Sequence, residues 1–259
     1  MSDNFRNALI GYTGFVGSNL AKDSQYNEFY NSKNILDICG KKFDKVVCAG
    51  VNAVKWWANQ NPEQDKAQID HLLSCLMTIK TDVFILISSV DVYQEINGVN
   101  EDNIPNPDGL HAYGRHRLYV EEFIKAHFSK YHIIRLPALY GPGLKKNVIF
   151  DLMNLNGLDV ININSSFQWY PVERLTGDIK VIEQAEIPLI NLAVQPVVTK
   201  IIIDNNFPTV QVGSKAANEA HYDMRTKYSY LFGKKIPYIL DQEEVLSDLH
   251  QFVVTEVNK

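Results

Sequence analysis

Gly11-Tyr12-Thr13-Gly14-Phe15-Val16-Gly17 reads G-x-x-G-x-x-G and follows directly on the apolar run Ala8-Leu9-Ile10. At the join of a strand and a helix this spacing has a physical use. The first glycine permits the tight turn, the second lets the backbone approach a pyrophosphate, and the third lets helix and strand pack closely. A helix starting at Phe15 then offers free N–H groups and a positive dipole end to phosphates. Gly11, Thr13, Gly14, Phe15, Val16 and Gly17 are therefore expected to cradle a dinucleotide. The plain alternative is a tight turn with no ligand; its place at the head of an alternating pattern favours the dinucleotide.

That alternation extends outward through the first half of the chain. Strands are expected near Glu28-Phe29-Tyr30, at Lys45-Val46-Val47-Cys48-Ala49, at Val83-Phe84-Ile85-Leu86-Ile87 and at His132-Ile133-Ile134-Arg135-Leu136. The run at 83–87 is uninterrupted, as in a strand covered on both faces. Helices are expected over Phe15 to Lys22, from Pro62 to about Lys80, from Ala112 to Lys130 and from Gln242 to Val257, with apolar positions such as Ile69, Leu72, Leu73 and Leu76 at helical spacing. Residues 94–111, with four Asn, two Pro and two Gly, read as a loop. The pattern predicts an α/β fold, a doubly wound parallel sheet. Residues 1–145 form the dinucleotide-binding core, and 146–259 a small C-terminal substrate-binding part interleaved with its end.

With 259 residues, 46% hydrophobic and 21% charged, the chain can bury a full core. A net charge of −5 argues against nucleic acid as partner, and no apolar run reaches the roughly 20 residues of a membrane span. The Met1-Ser2-Asp3-Asn4 start lacks a signal-peptide core, and Cys39, Cys48 and Cys75 have no metal spacing. A cytoplasmic protein without metal is expected.

The end of the second strand selects between dinucleotides. An Asp or Glu there would hydrogen-bond the adenosine ribose; this chain has Asn31-Ser32-Lys33, with Asp37 further on. Ser32 and Lys33 suit a 2′-phosphate, which favours NADP; NAD stays the alternative, and a solvated Lys33 is the bland reading.

Five motifs in order give the chain a resemblance to the extended short-chain dehydrogenases, the nucleotide-sugar epimerase, dehydratase and reductase group. Gly11 to Gly17 resembles its glycine turn. Val46-Val47-Cys48-Ala49-Gly50-Val51 resembles its third-strand end, and Ser88-Ser89-Val90-Asp91-Val92-Tyr93 its S-S-x-x-V-Y segment. Tyr113-Gly114-Arg115-His116-Arg117 sits where that group has Y-G-x-S-K, and Arg135 to Gly143 is similar to R-x-x-x-x-Y-G-P-G. The likeness spans about residues 7–200. It implies a Rossmann-type fold, a nucleotide-sugar substrate and a homodimer. It implies that Ala49, Gly50, Val51 and Leu136 line the cofactor, with Asn31, Ser32 and Lys33 at its ribose. It implies Ser89 and Tyr113 as catalytic hydroxyls, Arg117 in the lysine's place, Asp91 as a proton-moving side chain, and Asn147 at the substrate diphosphate. Trp56 is a candidate pocket wall, and Gln68 resembles the helix residue that holds a catalytic water.

The departures are as informative. Arg117 replaces lysine, and His116, expected on the helix surface, replaces serine. Phe167 stands where an arginine pairs with the diphosphate, Pro171-Val172-Glu173-Arg174 replaces V-x-D, and Lys145 and Lys146 are substitute cations. Tyrosine, with a pKa near ~10, is a poor base at neutral pH, and a cation beside it favours phenolate. Tyr113 and Arg117, four residues apart, share one helix face. The expected activity is reduction of a keto sugar with Tyr113 as acid/base. The alternatives are an epimerase or dehydratase with tightly held NAD, supported by Asp91, and a dinucleotide sensor without turnover.

Overall fold

Strand β1 (Asn7–Ile10) ends where Gly11 turns, and α1 (Phe15–Leu20) follows. Next come β2 (Glu28–Tyr30), β3 (Lys42–Cys48), α2 (Lys55–Gln60), α3 (Pro62–Leu76), β4 (Lys80–Ser89), α4 (Ala112–His127) and β5 (Tyr131–Leu136). The remainder holds β6 (Ala138–Tyr140), α5 (Val148–Asn154), β7 (Ser166–Phe167), β8 (Trp169–Pro171), α6 (Leu175–Gln184), β9 (Leu189–Asn191), β10 (Val197–Val198), α7 (Thr199–Asn206) and α8 (Gln242–Val257). This computed structural model describes residues 5–257, so the Met1–Asn4 start lies outside the described residues. No helix among them is long and apolar enough to cross a membrane.

The chain divides into two units. The first holds residues through Gln94, Asn103–Arg135 and Leu175–Ile190; the second holds Glu95–Asp102, Leu136–Arg174 and Asn191 onward. The six-stranded parallel sheet has the order β2-β1-β3-β4-β5-β9. Ile10 lies opposite Tyr30 on one side and Cys48 on the other. From β1 the chain thus goes first to one neighbour and later to the other, and the crevice outside the carboxyl ends at that reversal is where open parallel sheets bind ligands. Val46, Val47, Phe84, Ile85, Ile133 and Ile134 are all 0% exposed, as the continuous apolar runs require. Phe84 and Phe128 stack at 4.3 Å between ring centres.

In the second unit β6 pairs in parallel with β8 and β7 antiparallel with β10. These strands are two or three residues long, and buried side chains tie them. The Gln168 amide donates to the Val194 and Met224 carbonyls at 2.6 and 2.7 Å and accepts from the Met224 amide at 2.8 Å. Three helix ends differ from expectation: α1 stops at Leu20, α3 at Leu76 and α4 at His127. After α3 the Thr78 hydroxyl donates to the Cys75 carbonyl at 2.7 Å, which turns the chain so that Lys80 already pairs in β4.

Candidate active site

The glycine turn is built by backbone crowding. Gly11 has φ +84°, and a Cβ there would lie 2.6 Å from Gly50 Cα and press on the Ala49 carbonyl. A Cβ on Gly17 would lie 2.6 Å from the Gly11 carbonyl carbon. Gly14, at φ −79° and ψ 170°, would carry a Cβ with only the Gly11 oxygen near, at 3.4 Å. So Gly11 and Gly17 shape the turn, while Thr13 and Gly14 are its exposed apex. Ala49 is held beside it, its amide donating to the Ile10 carbonyl at 2.9 Å. Phe15 and Val16 are half-buried in the first turn of α1, and Gly50 is exposed next to half-buried Val51.

At the end of β2 the Tyr30 carbonyl accepts from the Gly11 amide at 2.7 Å, so Asn31 follows directly beside the turn. Asn31 accepts from the Lys33 amide at 2.8 Å, which folds the loop and leaves Ser32 and Lys33 exposed. The one carboxylate of β2, Glu28, lies at its start and pairs with Arg6 and Lys41. Asp37 is exposed in the 3-10 turn Ile35–Ile38. A turn whose glycines leave its backbone open at Gly14 fits the approach of a dinucleotide pyrophosphate.

The catalytic candidates meet at the carboxyl end of β4 and the start of α4. Ser89 ends β4, and its Oγ accepts from the Asp91 amide at 3.1 Å. His111 caps α4 by accepting from the Gly114 amide at 3.0 Å. Gly114 lets the helix press on the Asp91 backbone: a Cβ would crowd the Asp91 carbonyl oxygen and lie 3.3 Å from its carbon. The Tyr113 amide donates to Asn59 Oδ1 at 2.9 Å. Tyr113 is buried, with the Arg117 guanidinium carbon 4.3 Å from its ring centre. Burial raises the phenol pKa; Arg117 pulls it down, Asp91 pushes it up, and hydrogen bonds with Ser89 and Arg117 lower it. The net direction is upward. Arg117 thus acts with the expected sign, while desolvation of the phenolate outweighs it.

Three further partners escaped the sequence reading. Lys55 Nζ pairs with Asp91 Oδ1 at 2.7 Å. Burial lowers the His111 pKa, and Lys55 lowers it further. Asp65, 1% exposed, receives His116 Nδ1 at 2.8 Å and Arg117 Nη1 at 3.4 Å. His116 is therefore buried rather than on the surface, and Gln68, three residues along α3 from Asp65, points outward. Glu121, 0% exposed, accepts from Ser88 Oγ at 2.5 Å and from Arg135 Nε and Nη2 at 3.0 and 2.6 Å. Arg135 Nη1 reaches the Tyr93 hydroxyl at 2.7 Å. A first-turn acid such as Asp65 reads in sequence as a helix-dipole partner, so no local signal marked it.

Trp56, 62% exposed, follows Lys55 in α2. In the second unit Leu136 is buried, and Asn147 caps α5, donating to the Leu139 carbonyl at 2.8 Å and accepting from the Phe150 amide at 3.1 Å. Phe167 packs edge-on to Trp169 at 5.7 Å, and Lys145 and Lys146 are exposed before α5.

Solved structures share this architecture. MoeE5 in complex with UDP-glucose and NAD is 16% identical, with a TM-score of 0.72 over 97% of this chain and 99% of that one. UDP-glucose 4-epimerase from Thermotoga maritima is 15% identical, with a TM-score of 0.71 over 98% and 100%. The dTDP-4-dehydrorhamnose reductase from Bacillus anthracis in complex with NADP is 16% identical, with a TM-score of 0.73 over 98% and 99%. No curated protein matches the chain. Residues 25–158, just over half of the 259, match the model of the NAD dependent epimerase/dehydratase family. The chain belongs to the NAD dependent epimerase/dehydratase family.

Proposed function

We propose that the chain is an oxidoreductase that reduces a keto group of a nucleotide-linked sugar with NADPH. The observation that carries this reading is Tyr113, a buried phenol between Ser89 and Arg117 whose pKa stays raised. A phenol that keeps its proton is an acid, and carbonyl reduction needs an acid at the oxygen that gains negative charge. A reaction that begins by oxidising a sugar hydroxyl needs a base there instead. The bound dinucleotide supplies the hydride. In this reading Ser89 donates a hydrogen bond to the sugar oxygen, Tyr113 passes it the proton, and Arg117 holds positive charge beside the phenolate left behind.

NADP is favoured by exposed Ser32 and Lys33 after β2 and by the engagement of Glu28 elsewhere. Of the similar structures, one is bound to NADP and another to NAD. Trp56 is the proposed aromatic contact of the substrate. The Asn147 side chain donates one amide hydrogen to the Leu139 carbonyl and accepts from the Phe150 amide, and a diphosphate contact there uses its second amide hydrogen. A second reading has its own observation: the Asp91–Lys55 pair beside Tyr113 is a further acid/base couple of the kind an epimerase or dehydratase uses.

The test is to identify the dinucleotide that co-purifies, by mass spectrometry, and then to assay consumption of added NADPH over a panel of nucleotide-linked keto sugars. Stoichiometric NADPH consumption supports the reductase. Tightly held NAD with sugar isomerised or dehydrated and no net NADPH use overturns it, as does binding without turnover.

A further inference from the structure

Two departures from the family pattern converge on one buried carboxylate. His116 and Arg117, adjacent in α4, both reach Oδ2 of Asp65 in α3. Nη2 of Arg117 donates to the Asn52 carbonyl after β3. The guanidinium is thus held at two nitrogens while its carbon lies 4.3 Å from the Tyr113 ring centre. Arginine stays charged, and a buried cation stripped of its partner is strongly destabilising. A lysine here would offer one point charge and could not span Asp65 and Asn52 as the fork does.

We propose that Asp65 is a positioning residue of the proton-moving site: it holds the Arg117 guanidinium against the Tyr113 ring and offsets its charge there, while His116 competes for the same carboxylate. The inference rests on the reading of Tyr113 as the group that moves the proton. The groups facing Tyr113 are Arg117 from α4 and His111 from its cap, Ser89 and Asp91 from the end of β4 and the turn after it, and the Asn59 side chain from α2. Lys55 of α2 stands behind Asp91, and Asp65 of α3 stands behind Arg117. Asp65 is the only one of these carboxylates that acts on the phenol through the guanidinium. Removing its charge leaves Arg117 unscreened and favours phenolate. Removing His116 gives Asp65 wholly to Arg117 and disfavours phenolate.

The experiment uses the full chain with tyrosine carrying carbon-13 at the hydroxyl-bearing ring carbon, the Tyr113 signal being assigned by its loss in Tyr113→Phe. The pH at which that signal begins to move is then compared among wild type, Asp65→Asn and His116→Leu. Deprotonation should begin about one pH unit lower in Asp65→Asn and at higher pH in His116→Leu, which has no donor for the carboxylate. An unmoved or raised onset in a folded Asp65→Asn overturns the proposal. If Asp65→Asn does not fold, His116→Leu decides, and an unmoved or lowered onset overturns it. The titration needs no substrate, so its failure is distinct from failure of the reductase reading, which the turnover assay tests.

Discussion

Glu121→Gln should destabilise the first unit severely while leaving its surface unchanged. Glu121 and Arg135 are 0% and 1% exposed, and one carboxylate accepts three hydrogen bonds, two of them from the guanidinium. With both partners out of water, solvent screening gives no discount. The amide of glutamine fills the same volume but brings no charge, and its NH2 faces a donor where an acceptor stood. Arg135 then remains as a buried cation without a counter-charge. Breaking such a pair from one side costs about 3–5 kcal/mol. At roughly 2–4 °C per kcal/mol for a chain of this size, the melting temperature should fall by roughly 6–20 °C. Urea unfolding followed by circular dichroism measures the loss, and a thermal scan checks it. The double variant Glu121→Leu/Arg135→Met should recover much of the stability, because two apolar side chains replace two buried charges. A single-variant loss under about 1 kcal/mol, the range of an exposed pair, would refute the reasoning.

Three predictions concern the ligand sites. Gly14→Leu should fold normally yet lose dinucleotide affinity by calorimetry, because a Cβ has room beside the Gly11 oxygen but intrudes where the phosphates must approach; unchanged affinity removes the cradle from the argument. Lys33→Ala should weaken NADPH by about 1.5–3 kcal/mol and leave NADH nearly unaffected; tighter binding of NADH than NADPH by the wild type contradicts the cofactor choice. Tyr113→Phe should cut reduction by about 10²–10⁴-fold with cofactor affinity retained. As a proton donor Tyr113 works below its pKa, so wild-type reduction should hold as pH rises and fall only above the ordinary value near ~10, in keeping with the upward shift; an activity that instead rises through neutral pH marks a base.

The sequence was most legible where one local pattern suffices. The apolar run of β4, the glycine turn and the four-residue spacing of Tyr113 and Arg117 each carry their geometry in a few neighbouring residues. The second unit is different, because strands of two or three residues such as β7 and β10 have no readable period and exist through partners about thirty residues away. The same limit hid the electrostatics. Arg117 announces a cation, but its buried partner Asp65 lies 52 residues earlier, and the burial of the phenol that outweighs the cation has no local sign. His116 was misjudged for the same reason: a histidine in a helix reads as solvated until a buried carboxylate is found opposite it.

The contact of Gly114 with the Asp91 backbone separates two properties that enzymes often couple. The offset between the strand carrying Ser89 and the helix carrying Tyr113 is fixed main chain against main chain, with no side chain as spacer. A side chain outside that contact, such as exposed Trp56, can then be exchanged without retuning the distance between the two hydroxyls. A scaffold of this kind can change its clientele quickly while its chemistry stands still.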